Sequence, residues 1–189
     1  VDYWNQNLKT GGTGIAGRIN SCFKNSLNGA ALCWPDANGA CPQNAAMTAL
    51  IAYMKWIDAE ARRQQVPPGT SGFPPIPAGV GSIGNGNRTF AQKCAFCHNA
   101  GGEGRYAGGV YYRPALWGPK SFNAQAGMDS TADLAPFIHA NMPLHSGGVL
   151  TVQEAWDLAC FIDAQPRPAG VGAHPPTSNS PPLPLCRPD

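Results

Sequence analysis

Cys94-Ala95-Phe96-Cys97-His98 is the stretch on which the reading of this chain turns. Two cysteines three positions apart, followed directly by a histidine, form the C-x-x-C-H signature of covalent haem attachment. The spacing follows from the chemistry. Two thiols about one helical turn apart can add to the two vinyl groups of one haem, and the adjacent imidazole then points along the ring normal toward the iron. A thioredoxin-like C-x-x-C would need a strand before it, and a structural zinc site would need a second Cys/His pair at matching spacing. Neither companion is in the sequence. The motif occurs once, so the expectation is one covalent haem c, tethered by Cys94 and Cys97 with His98 on the iron.

Outward from this motif the pattern is helical. Gly86 and Phe90 precede Cys94 at steps of four and share one helix face. Downstream come a Gly-rich loop (101–109) and an aromatic stretch with Tyr111, Tyr112 and Trp117. A short helix near 131–140 and a stronger one at 151–164 follow. Thr151 with Glu154 forms a capping box, and Val152, Ala155, Trp156, Ala159 and Ile162 make a buried stripe. Upstream, Ile15, Ile19, Cys22, Phe23 and Leu27 repeat at helical spacing until Asn28-Gly29. Met47, Leu50, Ile51, Met54, Ile57 and Ala61 form a second stripe. The expected organisation is a small helical domain over 1–66, a Pro/Gly-rich linker over 67–81, a haem domain over 82–164 and a Pro-rich tail over 165–189. The fold class is mainly α with long loops, and nothing in the pattern asks for a sheet.

Composition narrows the function classes. Hydrophobic residues make up 43%, which suits a folded chain, while charged residues are only 13%, about half the usual share. A net charge of +2 without basic runs argues against nucleic acid, and no apolar stretch reaches membrane-spanning length. Seven cysteines suggest an oxidising compartment, so a periplasmic or extracellular protein with its signal peptide already removed is expected. Carboxylates are sparse and offer no evident acid/base pair.

Taken together, these pieces resemble the class I cytochrome c family. In that family the glycine matching Gly86 permits a close crossing with the C-terminal helix, whose aromatic residue, matched here by Trp156, packs beside the counterpart of Phe90. Leu116-Trp117-Gly118-Pro119 resembles the loop whose proline carbonyl accepts the proximal histidine Nδ1–H, which casts Pro119 as the partner of His98. Asn141-Met142-Pro143 lies where the family presents its axial methionine, which makes Met142 the expected sixth ligand and Met128 its rival. His139 and His145 flank Met142 and offer an alternative ligand. Arg113, Tyr111, Tyr112 and Trp117 are candidates for the haem propionates or, equally, for a packed aromatic wall.

A narrower resemblance is carried by Pro114-Ala115-Leu116-Trp117-Gly118-Pro119-Lys120-Ser121-Phe122-Asn123, by Leu150-Thr151-Val152-Gln153-Glu154-Ala155-Trp156-Asp157 and by Arg18-Ile19-Asn20-Ser21-Cys22-Phe23. These are similar to the thiosulfate dehydrogenases, a family of dihaem cytochromes. There the residue matching Cys22 is a thiolate ligand of the first haem, but no second C-x-x-C-H accompanies it here. The preferred expectation is loss of that haem, leaving a small, haem-less cytochrome c-like domain as cover or docking surface and Cys22 as a buried thiol on an apolar helix face. Cys33 with Cys41, and Cys160 with Cys186, are convenient disulfide pairs that sequence cannot fix. The expected function is a one-electron carrier between a redox protein donor and acceptor, in iron or sulfur oxidation. The alternatives are a sulfur-oxidising enzyme, with its second haem lost by truncation or supplied by a partner, and a subunit of a larger assembly of cytochromes.

Overall fold

The computed structural model describes residues 14–33, 44–64, 74–170 and 185–187 and divides the chain into two units. The first unit comprises residues 1–24 and 29–72, and the second residues 25–28 and 73–189.

In the first unit, α1 (Gly14–Ser21) buries Ala16 and Ile19 against Met47 of α2 (Ala45–Arg63). Asn20 joins them without an unsatisfied group. Its Nδ2 donates to the Cys33 carbonyl at 2.6 Å, and its Oδ1 accepts from the Leu32 and Cys33 amides. Asn44 caps α2 by accepting from the Met47 amide at 2.8 Å. Two sequence expectations change here. The first helix does not run on to Leu27, because it widens into a single π turn, Cys22–Ser26, which leaves Cys22 exposed rather than buried. Of the second stripe's described side chains, only Met47 is fully buried, while Met54 and Ile57 are exposed together with Tyr53 and Trp56. Cys33 is disulfide-bonded, and Cys41, its expected partner, lies outside the described residues.

The second unit is built around two crossing helices, α3 (Ile83–Lys93) and the later α6 (Val152–Asp163). Between them come the one-turn α4 (Ala95–His98), then β2 (Arg105–Ala107), β3 (Val110–Arg113) and α5 (Thr131–Asn141). Where α3 meets α6, a side chain at Gly86 would put its Cβ 2.1 Å from the Asp157 carbonyl oxygen and 2.6 Å from Phe161 Cβ. Only hydrogen fits there. The core gathers Phe90, Leu134, Ile138, Leu150, Trp156, Leu158, Phe161 and Ile162. Residues 155–162 of α6 are buried on every side, Asp157 included. Asp157 Oδ1 is satisfied by the Ser82 amide and the Gln153 side chain, both at 2.8 Å. The expected capping box at Thr151 and Glu154 is present.

Strands do occur, in two short ladders. Strand β1 (Gly81–Ser82) pairs in parallel with β4 (Cys186–Arg187), and β2 pairs antiparallel with β3, Tyr106 opposite Tyr111. Periodicity could not announce them, because they are two to four residues long and mostly exposed. Part of the expected linker is also packed against the core. Trp156 Nε1 donates to the Pro77 carbonyl at 3.0 Å, and the Gly79 backbone lies against the indole. Cys160 and Cys186 are disulfide-bonded, which ties the chain's end to α6.

Replacing Gly86 by alanine tests the crossing by the sign of its effect. In an ordinary helix interior that change stabilises by about 0.5–1 kcal/mol. Against a backbone carbonyl it should instead destabilise by about 1–3 kcal/mol, read as a lower urea midpoint.

Candidate haem site

Helix α3 ends where Cys94 begins, and α4 carries Cys97 and His98 into an apolar cleft. The cleft encloses about 270 Å³, and Leu134, Phe137 and Ile138 of α5, Leu150, and Leu158 and Ile162 of α6 form its walls. Cys94, Cys97, His98 and Met142 all line it, as do Arg113 and Tyr112 at the end of β3. Among the lining residues the only charged side chains are Lys93 and Arg113, and none is a carboxylate.

His98 is 8% exposed, and its Nδ1 lies 2.9 Å from the Pro114 carbonyl. A carbonyl can only accept, so Nδ1 carries the proton and Nε2 keeps its lone pair free for a metal. Pro119, the acceptor expected from the sequence, is not the partner. Its carbonyl accepts from Asn28 Nδ2 at 3.2 Å instead. The difference arises because β3 delivers Pro114 beneath the imidazole. That delivery depends on backbone bonds from Gly104 to His98 and from Leu116 to Gly102. At Gly104, where φ is +73°, a Cβ would stand 2.4 Å from the Arg113 carbonyl oxygen, so glycine alone permits the approach.

Phe90 and Trp117 do not line the cleft but support it. Their ring centroids are 4.9 Å apart, and Phe161 completes the group at 5.5 Å from each. Phe161, not Trp156, is therefore the C-terminal-helix aromatic beside Phe90. Trp156 lies nearly one and a half turns earlier on α6 and packs on the 77–81 segment. Met142 closes α5 as its C-terminal cap, and the following loop folds back through a bond from the Gly148 amide to the His139 carbonyl. Met128 packs against the core without reaching the cleft, and neither His139 nor His145 lines it. Tyr111 is exposed and packs at a tilt against Tyr106 of the hairpin, and it is not among the residues that line the cleft.

The electrostatics suit a neutral ligand set. Burial lowers the His98 pKa, the Pro114 bond opposes that shift, and nearby Arg113 adds to it, so the imidazole is biased to its neutral form. Burial pushes the Cys94 thiol up to about 11. Among the described residues no three His, Cys, Asp or Glu side chains converge.

Comparison with known proteins gives the arrangement its context. The family model described as "Cytochrome C oxidase, cbb3-type, subunit III" matches residues 81–162. The thiosulfate dehydrogenase of Psychrobacter arcticus is 41% identical over 169 residues, covering 88% of this chain and 49% of that protein. That of Thiomonas intermedia is 40% identical over 153 residues, covering 80% and 46%. In structure, the as-isolated thiosulfate dehydrogenase of Marichromatium purpuratum superposes with a TM-score of 0.66 at 34% identity, covering 88% of this chain and 35% of that one. The chain thus spans about half the length of the curated relatives it matches. A cytochrome c domain implies a covalent c-type haem, and the donor set fits one: two thiols, an imidazole with a fixed tautomer and a thioether around an apolar cleft. Residues 81–162 match a cytochrome c domain, consistent with a class I c-type cytochrome, and the chain is homologous to the haem domains of the thiosulfate dehydrogenases.

Proposed function

We propose that this protein is a monohaem one-electron carrier of the periplasm or cell exterior, working in iron or sulfur oxidation. The observation that supports it is the cleft itself: Cys94, Cys97, His98 and Met142 share one apolar space that no carboxylate enters. Cys94 and Cys97 would tether the cofactor through thioethers, and His98 and Met142 would hold its iron. Arg113 and Tyr112 supply donors for the propionates, while Phe90, Trp117 and Pro119 belong to the surrounding packing. When bound, the haem supplies a reversible ferric/ferrous couple. The chain's own work is to fix geometry and exclude water. Pro114 holds the His98 ring and raises its basicity, and Leu134, Ile138, Leu150 and Leu158 keep the iron's surroundings dry. A neutral thioether favours the reduced state, so the potential is raised by Met142 and by the apolar walls.

A second reading has its own support. The 41% identity with a thiosulfate dehydrogenase extends over 88% of the chain. On that reading the protein is a sulfur-oxidising enzyme whose second haem comes from more chain or from a partner, or it is a cytochrome subunit of a larger assembly.

Counting covalent haems separates the two. A pyridine haemochrome assay with intact mass should give one haem per chain, and two would restore the enzyme. The axial ligand is tested by a pair of variants. Met142→Ala should lower the reduction potential and admit added imidazole or carbon monoxide, whereas Met128→Ala should leave both properties unchanged. The reverse outcome would transfer the ligand role to Met128.

A further inference from the structure

Two residues that line the cleft, Phe122 and Ile162, also touch a buried ionic cluster. The Arg167 guanidinium carbon lies 4.3 Å from the centroid of the Phe122 ring, and Arg167 Nη2 donates to the Ile162 carbonyl at 2.6 Å. Arg167 Nε stands 3.2 Å from Asp129 Oδ1, and Nη2 stands 3.6 Å from Asp163 Oδ1. The side chains of Arg167 and Asp163 are 5% and 3% exposed, against 28% for Asp129. One guanidinium therefore faces two carboxylates where water has little access. Asp163 Oδ1 and Arg167 Nη1 are buried without a hydrogen-bond partner among the described residues.

A cluster with one cation for two acids is a poor place to hold both negative charges. Asp163 is the acid best placed to give up its charge. Burial, the largest cause, and the Asp129 charge push its carboxyl up to about 6, against the Thr131 hydrogen bond and Arg167. Among the described residues, the groups that face Asp163 come from four elements. The start of α5 contributes Thr131, whose Oγ1 donates to Asp163 Oδ2 at 2.8 Å, and the preceding loop contributes Asp129. The segment after α6 contributes Arg167. Strand β4 contributes Cys186, whose sulfur lies 3.8 Å from Thr131 Oγ1 and is locked in a disulfide.

We propose that Asp163 is a redox-linked proton site, protonated while the cofactor in the adjoining cleft is reduced and deprotonated when that cofactor gives one electron to an acceptor. This inference rests on the haem reading of the cleft. The balance is simple. One electron passes to a one-electron acceptor, one positive charge stays in the cleft, and the Asp163 O–H bond breaks with its electron pair kept on oxygen and its proton passed to water. Positive charge across a low-dielectric wall stabilises the carboxylate, and by reciprocity the carboxylate stabilises the oxidised cofactor. The potential should therefore be higher where Asp163 is neutral and lower where it is ionised.

The test is the potential of the haem-loaded protein, followed spectroelectrochemically from about pH 4 to about pH 8. A downward step centred near pH 6 is expected. If oxidation strengthens the acid about tenfold, the step is ~59 mV for a one-electron couple. Asp163→Asn should flatten it. Asp129→Asn, at the more exposed position, removes a repelling charge and should move the step to lower pH, which keeps the test available if the first variant does not fold. In the redox infrared difference spectrum, a protonated carboxyl band should be lost on oxidation in the wild type and be absent from Asp163→Asn. A step that persists in Asp163→Asn, or that stays in place in Asp129→Asn, overturns the assignment. Haem absorption with a pH-independent potential sinks this inference alone, whereas no haem absorption at all sinks the haem reading beneath it.

Discussion

The second unit depends on the contact between α3 and α6 at Gly86, where a backbone carbonyl occupies the space a side chain would need. Contact this close fixes both the depth and the angle of the crossing, since neither helix can slide without leaving a void or a clash. One turn after Gly86, Phe90 meets Trp117 and Phe161, and one turn after that the chain reaches Cys94. The attachment cysteines are therefore positioned from the helix crossing rather than by their own loop. The same closeness explains the strap of residues 77–82 across α6. With residues 155–162 buried all round, the polar Asp157 must be answered from within, and the Ser82 amide and the Gln153 amide group do so.

The cleft shows how few polar atoms such a site requires. Of its walls, the Pro114 carbonyl is the one group that dictates a protonation state, and it does so by geometry at 2.9 Å from His98. The rest is shape and dryness. Leucine and isoleucine from α5 and α6 face a space that, left to water, would expose apolar surface at about 25 cal/mol per Å². A large apolar guest removes that cost. The cofactor is in this sense a missing part of the core, which accounts for a domain whose short helices are joined by long connections.

Sequence revealed this architecture unevenly, for physical reasons. The attachment motif, the Gly86–Phe90 face, the capping box at Thr151 and Glu154 and the Cys160–Cys186 tie were all legible, because each is a local spacing rule or a covalent possibility. The identity of the carbonyl under His98 was not. Pro114 and Pro119 both lie in the same loop, and only the register of the β2–β3 hairpin chooses between them. Phe161 and Trp156 were confused for a similar reason, since both lie on a helix buried on every side and periodicity cannot rank its faces. The stripe on α2 failed in another way. Spacing tells which residues share a face but not whether anything covers it, and Tyr53, Met54, Trp56 and Ile57 are exposed.

The surroundings of the ionic cluster bear on how a cytochrome domain of this kind could be tuned. A carboxylate inside the cleft would compete for solvent and invite proton chemistry at the iron. Placed one residue beyond the wall, Asp163 can alter the field in the cleft without altering what lines it. The ring of Phe122 and the backbone of Ile162 transmit charge electrostatically while keeping water out, so affinity for the electron is adjusted with the ligand set held constant. With the Arg167 and Asp163 side chains shielded from solvent, the charge of a proton gained or lost at Asp163 is little screened by salt before it reaches the cleft.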